Sequence, residues 1–296
     1  MNPTLQKTLI FPELVQDTVN RTGEYRLDTA GKGLNVCRVL TQLGREACLL
    51  NPLGGALRPL YLDLCRQDSL KVEWVESSSP IRLCYTLIDR SKKSITELVE
   101  EAEKVGEGTE ERLMEKFAGL LHRCSTLIVS GTKAAGFSDA LIPEMVRLAK
   151  AEGCRVIIDV KGNDLRNSLP FRPDIIKPNL YEFVSTFAPE LISHNSIAAL
   201  DVKERVEKIW SGLYNEYPCI LVLTNGAASV LYAEKGKIEE YTFEPLEPVN
   251  TIGSGDAFTA GLASVLEDGA SLSEAVAEGA RCGALNAGLL RPGVIA

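Results

Sequence analysis

The chain has 296 residues, 45% hydrophobic and 24% charged, a composition that suits one large α/β unit or two small ones. A net charge of −8 argues against a nucleic-acid partner, and no apolar run approaches 18 residues, so neither a membrane span nor an export signal is predicted. The eight cysteines stand singly and the two histidines, His122 and His194, do not cluster with them, which predicts a reduced cytoplasmic protein without a zinc centre.

Thr8–Phe11 and Tyr25–Asp28 alternate as short strands, and a second such pair follows at Arg82–Asp89 and Ser94–Glu100. Ala30–Asn35 opens a helix whose apolar residues Leu34, Val36, Val39, Leu40 and Leu43 run to Gly44. Gly31 and Gly33 before that helix, with Lys32 at its mouth, make an anion corner, although a lysine in a turn can equally face solvent. Ala47–Pro52 is a strand candidate and Leu57–Gln67 a helix. The carboxylate-rich run 97–111 is expected to be solvated.

Plain alternation follows: helix Glu110–Leu121, strand Thr126–Ser130, helix Ser138–Glu152, and strands Arg155–Asp159 and Ile175–Lys177. It predicts a parallel sheet with helices on both faces, where ligands gather at the carboxyl ends of the strands. Ser130, Asp159 and Lys177 lie at such ends. Asn179 and Glu182, three residues apart, share one face of a helix start; a capping box is the structural alternative. A helix at Val202–Tyr214, a strand at Ile220–Leu223 ending in Thr224-Asn225-Gly226, and a hairpin about Glu234–Gly236 complete the alternation.

Residues 249–262 hold the densest signal. Gly253 and Gly255 flank Ser254, and Phe258, Leu262, Val265 and Leu266 recur at helical spacing, which predicts a helix from about Asp256. Glycines at a helix mouth bind phosphate through backbone N–H groups. Asp256 stands where a Walker A loop would carry Lys, and a carboxylate there suits an alcohol that loses its proton while attacking a phosphoryl group. An ordinary helix N-cap is the alternative. Ser271-Leu-Ser-Glu274 makes a capping box for a last helix that carries Asn286.

In order along the chain, Gly31–Asn35, Lys177–Glu182 and Asn250–Phe258 resemble the signatures of ribokinase-like carbohydrate kinases of the phosphofructokinase-B branch. The pattern is most similar to 1-phosphofructokinases and tagatose-6-phosphate kinases. The resemblance implies a three-layer α/β sandwich with a mainly parallel central sheet, helices on both faces and a small β-sheet lid. A single domain over 1–296 would draw its lid strands from about 8–29 and 82–100. Asp256 would be the base, with Gly253, Ser254 and Gly255 as anion hole. Gln6, Gly31, Lys32, Gly33, Asn35, Arg82 and Ser130 would serve the sugar side. Lys177, Asn179, Thr224, Gly226 and Asn286 would serve ATP, Glu182 would order Mg²⁺ through water, and a homodimer would form through the lid.

Asn225 departs from the pattern beside Thr224, and three further departures bear on turnover. Gln6 replaces an Asp that holds a substrate hydroxyl, Cys84 replaces an Asn, and the buried first strand is missing, so either the start lies upstream or the sheet lacks a central member. The expected activity is ATP- and Mg²⁺-dependent phosphorylation of a phosphorylated ketohexose, of the fructose 1-phosphate or tagatose 6-phosphate type. The rivals are a nucleotide- or sugar-binding member with altered or lost turnover, which the departures favour, and a kinase of a free sugar or nucleoside. A Rossmann oxidoreductase ranks behind both, because no strand runs into G-x-G-x-x-G.

Overall fold

The computed structural model describes residues 1–193, 196–197, 202–244 and 246–296; His194 lies outside them. Strands β1 (Thr4–Phe11) and β2 (Tyr25–Ala30) come first, then helix α1 (Lys32–Gln42) and the unit β3 (Cys48–Leu53), α2 (Arg58–Gln67) and β4 (Lys71–Glu76). β5 (Arg82–Asp89) and β6 (Ser94–Val99) form a hairpin, followed by α3 (Thr109–Leu121), β7 (Thr126–Ser130), α4 (Leu141–Ala151), β8 (Arg155–Asp159), α5 (Gly162–Ser168), β9 (Ile175–Ile176) and α6 (Leu180–Phe187). The short pair β10 (Ile192–Ser193) and β11 (Ser196–Ile197) precedes α7 (Val202–Glu216), β12 (Ile220–Asn225), β13 (Ser229–Glu234) and β14 (Lys237–Tyr241). Helices α8 (Ser254–Glu267) and α9 (Leu272–Ala287) close the order.

The central sheet runs β14-β13-β12-β9-β8-β7, with β12, β9, β8 and β7 mutually parallel. Successive side chains of a strand point to opposite faces, and both faces here are apolar. Val156 and Ile158 pack with Leu113, Phe183 and Trp210 on the side of α3, α6 and α7, whereas Ile157 packs with Phe258 and Leu262 of α8 and Val276 of α9. The two helical layers follow from that alternation. Among the described residues no helix is long and apolar enough to cross a membrane.

A second, four-stranded sheet has the order β2-β1-β5-β6 and forms the small lid. β1 and β5 are parallel, from Thr4↔Arg82 to Phe11↔Asp89, and β2 and β6 flank them antiparallel. β1 starts at Thr4, earlier than its apolar run predicts, because the polar Thr4 and Gln6 are buried between two partner strands rather than exposed.

Among the described residues β3 and β4 pair only with each other. Between β3 and β7, which are not hydrogen-bonded to one another, lies a cavity of about 590 Å³ lined by Leu49, Leu50, Phe117, Leu127, Ile128 and Val129. The facing edges of the two strands share no backbone ladder. Met1 lines the same cavity, and its carbonyl accepts from the Ala134 amide at 3.1 Å.

Candidate active site

Helix α8 begins at Ser254, two residues before the spacing suggests. Gly253, at φ +83°, turns the chain in the left-handed region, and its carbonyl accepts the Ala257 amide at 2.8 Å. A Cβ at Gly253 would come within 2.7 Å of the Gly293 nitrogen, so the corner admits only glycine. Among the described residues no side chain caps α8, which leaves the donors of its first turn without a side-chain partner there.

Asp256 is the third residue of that helix and does not cap it. Its carboxylate is buried and accepts from Asn35 Nδ2 at 2.8 Å, a contact across 221 residues of chain that joins the mouths of α1 and α8. Burial, then the charge of Asp159, pushes the Asp256 carboxyl up to about 7, while Asn35, Lys32 and Lys177 pull the other way.

Asp159 ends β8, as the strand-end argument predicts. Its Oδ2 accepts from Ser130 Oγ at 3.1 Å and Thr259 Oγ1 at 3.3 Å, and Lys177 Nζ lies 3.5 Å away, with Asp159 and Lys177 both 2% exposed. Asp159 Oδ1 is buried without a hydrogen-bond partner, 3.7 Å from Lys32 Nζ. Lys32 also lies 3.5 Å from Glu182 Oε1. Burial pushes the Lys32 ammonium down, but Asp159, Glu182 and Asp256 more than reverse this and hold it above the usual lysine range.

A cavity of about 230 Å³ opens beside this cluster, lined by Gly31, Lys32, Gly33, Asn51, Arg82 and Ser130 among others. A Cβ on Gly131 would meet Lys32 Cβ at 3.0 Å, so that glycine lets the Lys32 stem pass. The Arg82 guanidinium is steadied by Thr4 Oγ1 and the Glu100 carbonyl, each at 2.9 Å. Gln6 is not among the lining residues; it is buried in the lid and donates to Thr86 Oγ1 at 2.6 Å. Cys84 is likewise buried.

On the other side, Asn179 and Glu182 form the capping box of α6: Asn179 Oδ1 accepts from the Glu182 amide at 2.7 Å, and Glu182 Oε2 accepts from the Asn179 amide at 3.0 Å. Glu182 Oε1, unused by the cap, points to Lys32. Asn179 bridges to Thr224 at the end of β12, and Gly226, at φ +56°, turns the chain just beyond. Asn286 is fully buried and donates to the carbonyls of Arg291 and Val294, which anchors the C-terminal segment. Among the described residues no three His, Cys, Asp or Glu side chains are grouped to hold a metal directly.

Asn51 and Arg38 are the additions that sequence reasoning missed. Asn51 is a lone polar residue in the apolar run Leu49–Leu53, a usable signal; Arg38 reads as one more polar position on an amphipathic helix.

A model of the family described as pfkB family carbohydrate kinase matches residues 2–292. A tagatose-6-phosphate kinase of Staphylococcus epidermidis is 26% identical over 268 residues, which cover 90% of this chain and 83% of that protein. Among solved structures, phosphofructokinase-2 from Escherichia coli superposes with a TM-score of 0.85 at 22% identity, covering 98% of this chain and 92% of that one. A ribokinase from Thermotoga maritima gives 0.74 at 16% identity, covering 99% and 92%.

Proposed function

Since the chain belongs to the pfkB family of carbohydrate kinases, we propose that it transfers the γ-phosphoryl group of ATP to a hydroxyl of a phosphorylated ketohexose, with Asp256 as the base. The observation that carries this is the buried Asp256 carboxylate, pushed up to about 7 at the mouth of an uncapped helix. A base is most effective when its pKa lies near the working pH, and the helix mouth offers donors to the charge that develops on the phosphoryl oxygens.

The sugar oxygen forms its bond to phosphorus as the bridging bond to ADP breaks, and its proton passes to Asp256. Asn35 holds the accepting carboxylate in place. The Gly253–Gly255 backbone faces the transferring group. Lys177, Asn179, Thr224, Gly226 and Asn286 make up the nucleotide side.

Mg²⁺ would travel with the nucleotide phosphates and neutralise part of their charge. Such a cation keeps several waters and needs only one or two carboxylates, and Glu182 Oε1, left free by the capping box, fits that need. Arg82 and Lys32, lining one cavity, support a substrate that already carries a phosphate, as does the similarity to a tagatose-6-phosphate kinase. A free sugar would leave the Arg82 guanidinium without its anion.

We further assign the exposed apolar residues Ile95, Leu98 and Val99 of β6, with Tyr25 of β2, to a homodimer contact through the lid. We also infer a single domain over 1–296 and a cytoplasmic location, which eight free thiols support.

Coupled ADP release over a panel of free and phosphorylated sugars tests the substrate class. Turnover confined to phosphorylated ketohexoses is expected. Binding without turnover on every sugar returns the binding-protein reading, and preference for a free sugar or nucleoside removes the phosphate-reading role.

A further inference from the structure

A chain of charged side chains leads from the lid to the reaction centre. On β2, Arg26 lies 3.2 Å from Asp28 Oδ1, and the same oxygen is 2.8 Å from Arg291 Nε of the C-terminal segment, a charge contact whose angle is too poor for a hydrogen bond. Arg291 donates to Asp68 Oδ2 at the end of α2 at 2.6 Å, and that oxygen also accepts Arg38 Nε at 2.9 Å. Arg38, on α1, is 2% exposed and spends its remaining donors on Thr29, the Pro292 carbonyl and, at 3.2 Å, Asn35 Oδ1. Asn35 gives its Nδ2 to Asp256.

A guanidinium has donors and no acceptor. The atom of Asn35 that faces Arg38 must therefore be the oxygen, which leaves the NH₂ for the carboxylate. A reversed amide would set two oxygens against each other at Asp256 and two donors against each other at Arg38. We propose that Arg38 is a positioning residue for Asp256: it locks the Asn35 amide, and Asp68, Arg291 and Asp28 tie that lock to the lid strand β2 and the C-terminal segment. The proposal rests on the reading of Asp256 as the base.

Buried ion pairs can also be purely structural, and breaking one destabilises a fold whatever it does for catalysis. The position of the acidic limb of kcat separates the two roles. Asp256 is faced by Asp159 from β8, Lys32 and Asn35 from α1, and Lys177 beyond β9; of these only Asn35 is held by Arg38. Losing the Asn35 donation removes support from the charged form of Asp256, so the limb moves to higher pH.

The experiment measures kcat, KM and Tm from about pH 5.5 to about 9 for the wild type, Arg38→Lys and Arg291→Gln, with Asp256→Asn alongside. Lysine keeps the charge of Arg38 but cannot reach Asp68, Thr29 and Asn35 together. A kcat loss of roughly ten- to a hundredfold is expected for Arg38→Lys, with KM for ATP within about twofold and the limb moved up. Arg291→Gln should shift the limb in the same direction by less. If Arg38→Lys does not fold, Asn35→Ala takes its place and should reproduce the limb shift. An unmoved limb, with kcat falling only as the folded fraction falls, overturns the proposal. Wild-type turnover by Asp256→Asn sinks the base assignment instead, so the two failures are distinguishable.

Discussion

At pH 8 the Asp256 carboxylate is a charge that folding has taken out of water. Its folded pKa, about 7, lies above that of an unfolded Asp, so between about pH 4 and 7 the folded state binds the extra proton. Stability from this residue is therefore present at low pH and lost as pH rises through that window. Asp256→Asn should be more stable than the wild type at pH 8, with the gap closing toward pH 5, while kcat falls by roughly 10²–10⁴. Melting curves at both pH values check the first part; a variant less stable at pH 8 would contradict the burial argument. Arg82 and Lys32 should separate as well. Among the described residues Arg82 bonds to Thr4 and Glu100 and otherwise lines the cavity, so Arg82→Ala should raise KM for a phosphorylated sugar about ten- to a hundredfold and spare residual free-sugar turnover. Lys32 also faces Asp159, Glu182 and Asp256, so Lys32→Ala should slow both substrates. Equal losses on both sugars from Arg82→Ala would remove it from phosphate recognition.

Among the elements, the mouth of α8 allows a paired test. Gly253→Ala meets a positive φ and a backbone atom at 2.7 Å, whereas an Ala Cβ at Gly255 meets nothing within 4 Å. Gly253→Ala should lower Tm clearly. Gly255→Ala should hold or raise it, since Ala favours a helix by about 1 kcal/mol over Gly, yet lower kcat because it narrows the anion corner. Unchanged kcat in Gly255→Ala would exclude that backbone from the chemistry. Element legibility followed local signal. Thr126–Ser130 and Arg155–Asp159 are read to the residue, because short apolar runs end at charged or glycine punctuation. Lys71–Glu76 escapes, because its charges mask a strand that is laddered to β3. Gly162–Ser168 escapes too: its polar sequence becomes helical through the burial of Leu165 and a bond from the Gly162 amide to Thr186. In the site, Asp256 and Asn35 stand in glycine-marked motifs and could be named, whereas Arg38, Asp68 and Arg291 meet only in three dimensions.

For the molecule as a whole, the residues proposed for the nucleotide, Asn179, Thr224 and Asn286 among them, belong to the cap of α6, to β12 and to α9 and not to the lid strands. ATP with Mg²⁺ should therefore raise Tm even in Arg82→Ala, by the linkage that amounts to about 2.7 kcal/mol at a hundredfold excess over Kd. Differential scanning fluorimetry at millimolar nucleotide measures it, and no shift would count against the nucleotide site itself.

The gap between β3 and β7 has a mechanical consequence. The cleft of about 590 Å³ opens to solvent, so along that side the β3–β4 pair is held to the rest of the molecule by side-chain packing and not by a backbone ladder. Native-state hydrogen exchange should therefore find the amides of β3 and β4 opening at a lower free energy than those of β8 and β9, which are laddered into the central sheet. Equal protection of the two groups would show that packing alone ties β3 and β4 into the same cooperative unit.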